Sequence, residues 1–114
     1  MSIHDVANMM AQGNYFAFHK NFAKYLGLEE AIILGDLINR FQYYFTNGML
    51  DEDGMFYCTV KTLQEDTTLS EYKQRKALNS LEVKGLINTK LKGLPAKRYI
   101  QLNADNIIDV LRKI

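Results

Sequence analysis

The stretch SEYKQRKALNSLEVKGLI, from Ser70 to Ile87, decides the fold, because it has the features of one complete helix followed by the start of a strand. Ser70 is a good N-cap residue, and Gly85 is the residue best able to adopt the left-handed conformation that ends a helix. The sequence therefore predicts a helix from Ser70 to Lys84. Its apolar residues fall on one face and predict an inner side: Ala77, Leu78 and Leu81.

The other faces of this helix are polar and basic, and a shorter helix is predicted just before it, from Val60 to Asp66. The turn Thr67 to Leu69 separates the two. Helices joined by such a turn form a helix-turn-helix, whose second helix lies in the DNA major groove with its first residues nearest the bases. The predicted contacts to DNA are Ser70, Tyr72, Lys73, Arg75, Lys76 and Asn79.

Three basic residues lead this set: Lys73, Arg75 and Lys76. Arginine can pair bidentately with guanine, and lysine can neutralise a phosphate. Asn79 can serve an adenine if it reaches one.

Two segments with strand alternation follow the helix, Leu86 to Leu91 and Lys97 to Leu102, and a Gly-Pro turn joins them. The basic residues at or near the tip of this hairpin are Lys90, Lys92, Lys97 and Arg98. A hairpin wing at this place presses against phosphates or probes the adjacent minor groove. Lysines on an exposed strand also discourage aggregation. We favour DNA contact because the helix and the hairpin supply the same charge sign on neighbouring elements.

The net charge of +1 hides an uneven distribution of charge along the chain. Residues 1–59 hold 3 lysines and arginines against 7 acids, whereas residues 60–114 hold 11 against 6. Residues 68–98 alone hold 8 against 2. Such a concentration is expected where one face meets a polyanion, although a solvated basic face with no ligand has the same composition.

The elements before and after this segment are predicted from helical spacing and caps. A short amphipathic helix begins at Ile3 and is stopped by Gly13 and Asn14; it packs on its own domain or forms an arm that pairs with a second copy. One or two helical turns run from His19 to Leu26. Asn103 caps a last helix, Ala104 to Ile114, which completes the core or builds a dimer contact.

The segment Leu28 to Phe45 carries the strongest helical signal and is predicted to be the central core helix. Its predicted inner line is Leu28, Ala31, Ile32, Gly35, Ile38, Gln42 and Phe45, which Leu34, Leu37 and Phe41 widen. A short strand, Met55 to Thr59, is predicted after it. The acidic triplet Asp51 to Asp53 lacks the spaced ligands of a calcium loop.

Length and composition bound the remaining possibilities. The 114 residues suit a single domain, with a terminal arm over 1–14, a core over 15–102 and a last helix over 103–114. The absence of a long apolar run and of a signal-peptide pattern predicts no membrane insertion and a cytoplasmic location. One cysteine and two histidines predict no metal and no cofactor. Without a phosphate-binding glycine loop or a nucleophile with its base, no enzyme is predicted.

Four segments of the chain carry a resemblance to a known family. They are YFAFHKNFAKYLGLEEAIILGDL at 15–37, DGMFYCTVKTLQEDTTLS at 53–70, SEYKQRKALNSLEVKGLI at 70–87 and KGLPAKRY at 92–99. Together they resemble the winged-helix domains at the amino ends of replication initiators and replisome organisers of phages and plasmids of Gram-positive bacteria. One departure is Gln74, which stands where such helices often have Val or Ile, so that the helix sits differently or presents one more polar group to DNA.

The resemblance implies a mostly α fold with a small β-hairpin wing, a winged helix-turn-helix with additional N-terminal and C-terminal helices. It implies sequence-specific binding of double-stranded origin DNA, usually as a homodimer, with replication proteins recruited by segments beyond this domain. A winged-helix transcriptional regulator would use the same contacts on another site. A protein interaction module of a mobile element is the third possibility.

Overall fold

The computed structural model describes residues 2–12 and 18–114, which form six helices and three short strands. Three helices come first, then a strand, the two helices of the predicted helix-turn-helix, a hairpin and a last helix. The elements are α1 (Ile3–Ala11), α2 (Lys20–Leu26), α3 (Leu28–Thr46), β1 (Phe56–Tyr57), α4 (Val60–Thr67), α5 (Glu71–Val83), β2 (Ile87–Lys92), β3 (Lys97–Leu102) and α6 (Ala104–Lys113).

The types and the order of the described elements confirm a mostly α chain with a small antiparallel sheet, an arrangement compatible with a winged helix. Some elements begin or end a few residues away from the predicted positions, because a residue that caps a neighbouring helix does not pair in a strand. The strand predicted from Met55 shortens to two residues because Thr59 already caps α4, accepting from the Thr62 N–H at 3.0 Å. The stop predicted at Gly13 and Asn14 lies outside the described residues.

The three strands form one antiparallel sheet in the order β1-β3-β2. Ile100 on β3 lies opposite Phe56 on β1 and Thr89 on β2, and the next row joins Tyr99, Tyr57 and Lys90. Because side chains alternate along a strand, these rows face opposite sides of the sheet. The first row packs inward on the helices, and the second row faces outward.

Helix α3 is the central core helix, as predicted, but its buried side is not the predicted line. The ends of that line, Leu28 and Phe45, are exposed and the unpredicted Ile33 is fully buried, whereas Ala31, Leu34 and Leu37 are buried as predicted. Apolar residues cover so much of this helix that sequence spacing alone does not select the inner direction. Packing against α2, α4 and α5 selects it.

Arg40 on α3 joins this core helix to the helix-turn-helix. Its Nε donates to Asp36 one helical turn earlier, and its Nη2 donates to Asp66 on α4 at 2.7 Å. Burial raises the pKa of Asp36, and the hydrogen bond and charge of Arg40 oppose that rise. The contact between Arg40 and Asp66 therefore joins α3 to α4, and the buried carboxylate of Asp36 holds Arg40 in place.

The turn between α5 and β2 is fixed by Gly85, whose φ of +75° lies in the left-handed region that favours glycine. Asn106 of α6 donates its side-chain amide to the Gly85 carbonyl at 2.7 Å. A Cβ at Gly85 would come within 3.0 Å of the same amide nitrogen. The last helix is thereby held at the point where α5 passes into the hairpin.

Helix α1 differs from the other described helices because it contributes no buried side chain. Ser2 and Asp5 form a capping box at its start. Its apolar residues face solvent, with Ile3 83% and Met10 71% exposed. In the described part of the chain, no helix has both the length and the apolar character needed to cross a membrane.

Candidate nucleic-acid interface

The turn between α4 and α5 brings the two helices together through short local hydrogen bonds. Thr68 caps α4 in the left-handed conformation, with φ at 65°, and its N–H donates to the Gln64 carbonyl at 2.8 Å. Ser70 then caps α5, and its hydroxyl accepts from the Lys73 N–H at 3.3 Å. The predicted N-cap is therefore confirmed.

Gln74 locks α5 against the start of α4. Its side chain is completely buried, and its Nε2 donates to the Val60 carbonyl at 3.1 Å and to the Leu69 carbonyl at 2.9 Å. The interpretation that Gln74 presents a polar group to DNA is therefore wrong, because the side chain points inward. A Val or Ile here would leave both carbonyls without this donor.

The outward direction of α5 follows from its buried side, which comprises Gln74, Ala77, Leu78 and Leu81. At about 100° per residue, the line directly opposite runs through Tyr72, Lys76 and Asn79. All three are exposed. Arg75 and Lys73 are also exposed but lie at the two edges of this line. The helix thus combines an aromatic ring, a cation and an amide on the surface farthest from the core.

Lys73 stands apart from the other basic residues of α5. Its Nζ lies 3.9 Å from Glu29 Oε1 at the start of α3, and both side chains are largely exposed. Such a surface pair is weak and is screened by salt. Arg75 and Lys76 form no salt bridge to any carboxylate in the described ranges. They carry the free positive charge of the helix.

The four basic residues predicted at the hairpin are divided between the two faces of the sheet. Lys90 and Lys97 are exposed on the outer face. Arg98 points to the opposite side, where its Nε and Nη2 are buried without a hydrogen-bond partner among the described atoms. It lines a cleft of about 360 Å³ between the hairpin and the start of α4.

Cys58 lies at the same cleft and is buried. Burial raises the pKa of its thiol, and the charges of Arg40 and Arg98 oppose that rise. A thiol with a raised pKa is a poor nucleophile.

Lys92 is clamped by the acidic loop that precedes β1. Its Nζ donates to Asp51 Oδ2 and Asp53 Oδ2, each at 2.7 Å. The hydrogen bond from Lys92 lowers the pKa of Asp51, and the two carboxylates raise the pKa of Lys92. Lys92 therefore has its charge matched before any DNA arrives. Within residues 2–12 and 18–114, no cluster of three or more His, Cys, Asp or Glu could hold a metal ion.

Two solved structures are similar to this chain over nearly its whole length. One is the "N-Terminal domain of DNA binding protein", with a TM-score of 0.60 and 21% identity, covering 99% of this chain and 92% of that one. The other is the "Structure of Rep-DNA complex", with a TM-score of 0.63 and 22% identity, covering 95% of this chain and 92% of that one. The chain shares its fold with both.

Comparison by sequence finds no match. No protein-family model matches the chain, and no curated protein matches it. At identities of 21% and 22%, the structural likeness speaks for the fold and not for individual contacts. The assignment of the ten predicted residues to DNA therefore stays a prediction.

Two features of this surface were missed by sequence reasoning. The clamp joins Lys92 to Asp51, 41 positions earlier, and no local sequence pattern predicts such a contact. The aromatic row of Tyr57 and Tyr99 depends on the pairing of β1 with β3. A signal for the second was available in the strand alternation, because both tyrosines occupy outward positions of predicted strands.

Proposed function

We propose that this chain binds double-stranded DNA, with α5 in the major groove and the β2–β3 hairpin against the backbone beside it. The observation that carries the proposal is the division of α5 into a buried inner line and an exposed outer line with free basic residues. That division gives a helix fixed to the core on one side and open to a polyanion on the other. The role is one of binding, without catalysis.

The outer line of α5 supplies the chemistry for reading bases. Lys76 and Asn79 lie at its centre and suit guanine and adenine edges, while Arg75 reaches bases or phosphates from the edge of the line. On the hairpin, Lys97 and Lys90 suit phosphates, which position a protein on the duplex without selecting its sequence. Lys92 and Arg98 are secondary contacts, because one is clamped and the other is partly buried.

We propose replication initiation of a phage or plasmid as the setting, with origin DNA as the site bound and other replication proteins as partners. The resemblance of roughly residues 15–102 to initiators supports it, and so does the likeness in fold to a protein solved as a Rep–DNA complex. A regulator of transcription would bind DNA in the same way. Selection of bound fragments from a random duplex pool, mapped onto the source genome, separates an origin from a promoter.

We further propose that the DNA-binding form is a homodimer joined through α1. The apolar side of α1 contains Ile3, Val6 and Met10, all exposed and at helical spacing, so that a second copy of the helix can cover them. The variant Ile3→Asp with Met10→Asp should be monomeric in sedimentation equilibrium where the parent chain is dimeric. A parent chain that stays monomeric at high concentration contradicts the dimer.

Duplex binding is tested by paired alanine variants that change the same charge at two places. Arg75→Ala with Lys76→Ala removes an arginine and a lysine from α5, and Arg112→Ala with Lys113→Ala removes the same pair from the exposed end of α6. Fluorescence anisotropy on a labelled duplex across a salt series measures both affinity and salt slope. We expect the α5 variant to lose about tenfold or more in affinity and about 0.9 unit of slope for each of the two side chains that neutralises a phosphate, and the α6 variant to keep its affinity and slope.

The outcomes also separate the alternative functions. An α5 variant that binds as tightly as the parent chain shows that the assigned face is wrong. A parent chain that binds no duplex even at low salt rules out both DNA-binding functions and leaves the protein interaction module. Circular dichroism of each variant confirms that the loss is not caused by unfolding.

A further inference from the structure

The outer face of the sheet interleaves aromatic and basic residues. Tyr57, Tyr99 and Lys90 form one row across the three strands, on the side opposite the buried row of Phe56 and Ile100. Lys97 lies two residues before Tyr99 on the same face. The next outward pair consists of two amides, Asn88 and Gln101. This outer sheet face therefore offers rings, cations and amide groups on one continuous surface.

The two tyrosine rings lie side by side and are covered by lysine chains. Their centroids are 6.0 Å apart with planes at 46°. The Nζ of Lys97 lies 4.9 Å from the centre of the Tyr57 ring, and the Nζ of Lys92 lies 5.3 Å from that of Tyr99. Both rings are partly exposed. Because a lysine side chain is flexible, it can move away from the ring when a planar base stacks there.

We propose that the outer sheet face binds single-stranded DNA, with bases stacked on Tyr57 and Tyr99 and phosphates held by Lys90 and Lys97. Proteins that bind single strands combine a basic track with aromatic rings on which bases stack, and such stacking tolerates any sequence. Bases inside a duplex have no free ring face, so that only an opened strand can use the tyrosines. Lys97, once displaced from the Tyr57 ring, remains available for the adjoining phosphate.

The acidic loop defines where the strand lies on this face. Asp51 and Asp53 draw Lys92 toward themselves, and the Asp53 carbonyl accepts from the Gln101 side chain at 3.4 Å. These carboxylates repel phosphates on their side of the sheet. Lys90 and Lys97 form no salt bridge to a carboxylate within the described ranges, so the phosphates are assigned to them.

This site goes beyond duplex binding and uses residues that α5 does not supply. Only its biological role rests on the proposed function: a protein that initiates replication holds a duplex next to an opened strand and needs one surface for each. Because Tyr57 and Tyr99 lie on the sheet whereas Arg75 and Lys76 lie on α5, the two activities can be removed by separate substitutions. Each can therefore fail without the other.

The test measures binding of the full chain to oligo(dT) of about 12 nucleotides at low salt, by anisotropy of a labelled oligonucleotide. Tyrosine fluorescence gives a second signal, because the chain has seven tyrosines and no tryptophan. We expect Tyr57→Leu and Tyr99→Leu to weaken binding at least about fivefold each, and Tyr57→Phe and Tyr99→Phe to keep it within about twofold. Arg75→Ala with Lys76→Ala should leave oligo(dT) binding within about twofold.

Three results overturn the site. The first is no binding of oligo(dT) by the parent chain, which leaves the tyrosines as cross-strand pairs that stabilise the sheet. The second is equal binding by the leucine variants, checked for folding by circular dichroism. The third is loss of oligo(dT) binding in the Arg75 and Lys76 variant, which makes the single strand a weak ligand of the duplex surface. Tighter binding of oligo(rU) than of oligo(dT) would overturn the assignment to DNA.

Discussion

Helix α5 and the β2–β3 hairpin both carry positive charge, but they hold it in different ways. On α5, Arg75 and Lys76 face solvent and form no salt bridge to a described carboxylate. On the hairpin, Lys92 is held by two carboxylates and Arg98 is partly buried. A count of basic residues in a segment therefore overstates the charge that a phosphate can reach. Buried contacts hold both elements, through Leu81 on α5 and through Ile87 and Ile100 on the hairpin, and the surface clamp on Lys92 holds the hairpin in addition.

The largest contrast concerns leucines on the two elements. Leu81 on α5 is fully buried, whereas Leu91 on β2 is 71% exposed. We expect Leu81→Ala to lower the free energy of unfolding by about 2–5 kcal/mol, because it leaves a cavity under the helix. The same change at Leu91 should stay within about 0.5 kcal/mol. Urea denaturation followed by circular dichroism measures both. Equal losses would show that the hairpin is as firmly packed as the helix.

The second contrast replaces a glutamine by methionine at two places. Gln74→Met removes the side-chain donor from the part-buried carbonyls of Val60 and Leu69 and should cost about 1–3 kcal/mol of unfolding free energy. Gln101 is exposed and makes one long hydrogen bond, so that Gln101→Met should cost about 0.5 kcal/mol or less. Thermal and urea unfolding give the two values. If Gln74→Met unfolds no more easily than Gln101→Met, the buried amide does not hold α5.

The predictability of the fold from sequence differs between local and distant features. The side chains of Ser70, Thr59 and Asn103 each accept a hydrogen bond from the main-chain N–H three residues later. The helices that they cap begin at the predicted places, because such a contact depends only on neighbouring residues. The inner side of α3 was predicted only in part, because its apolar residues surround most of the helix and the neighbouring helices select the direction that is buried. Local signals fix helix ends, whereas packing fixes which side is inside.

The same division holds for the candidate site. The exposed basic residues of α5 follow directly from its apolar spacing, because the inner line determines the outer one. The role of Gln74 depends on where Val60 lies, 14 residues earlier, and the state of Lys92 depends on Asp51, 41 residues earlier. Neither could be predicted, because a salt bridge or an amide contact across the fold leaves no trace in local spacing.

The third contrast compares two lysines on the hairpin by salt dependence. Each phosphate contact contributes about 0.9 to the slope of log affinity against log salt on B-DNA. Lys97→Ala should therefore lower the slope by about 0.9, while Lys92→Ala should lower it much less because its charge is already matched. Anisotropy titrations on one duplex at four or more salt concentrations give both slopes. A larger effect at Lys92 would show that DNA displaces the acidic loop.

The smallest effect is the pH dependence of the clamp itself. The hydrogen bond from Lys92 lowers the pKa of Asp51 below its ordinary value of 3.8, with further lowering from main-chain donors at Met55 and Asp53. A carboxylate whose pKa is lowered by folding stabilises the fold above the unfolded pKa, and loses that contribution as the pH falls through the folded pKa. Lys92 has its pKa raised above 10.5 and loses its contribution only as the pH rises past that value. The clamp is therefore intact between about pH 4 and pH 10.

Carboxyl chemical shifts measured by NMR during an acid titration test this directly. Asp51 should titrate below 3.8 in the parent chain, and its midpoint should rise in Lys92→Met because the largest cause of the lowering is gone. The rise should stop short of the ordinary value, since the main-chain hydrogen bonds from Met55 and Asp53 to the same carboxylate remain. An unchanged midpoint in Lys92→Met would mean that the loop is held by its own main chain, so that Lys92 is free to meet phosphate like Lys97. The contrast between the hairpin and α5 would then reduce to Arg98 alone.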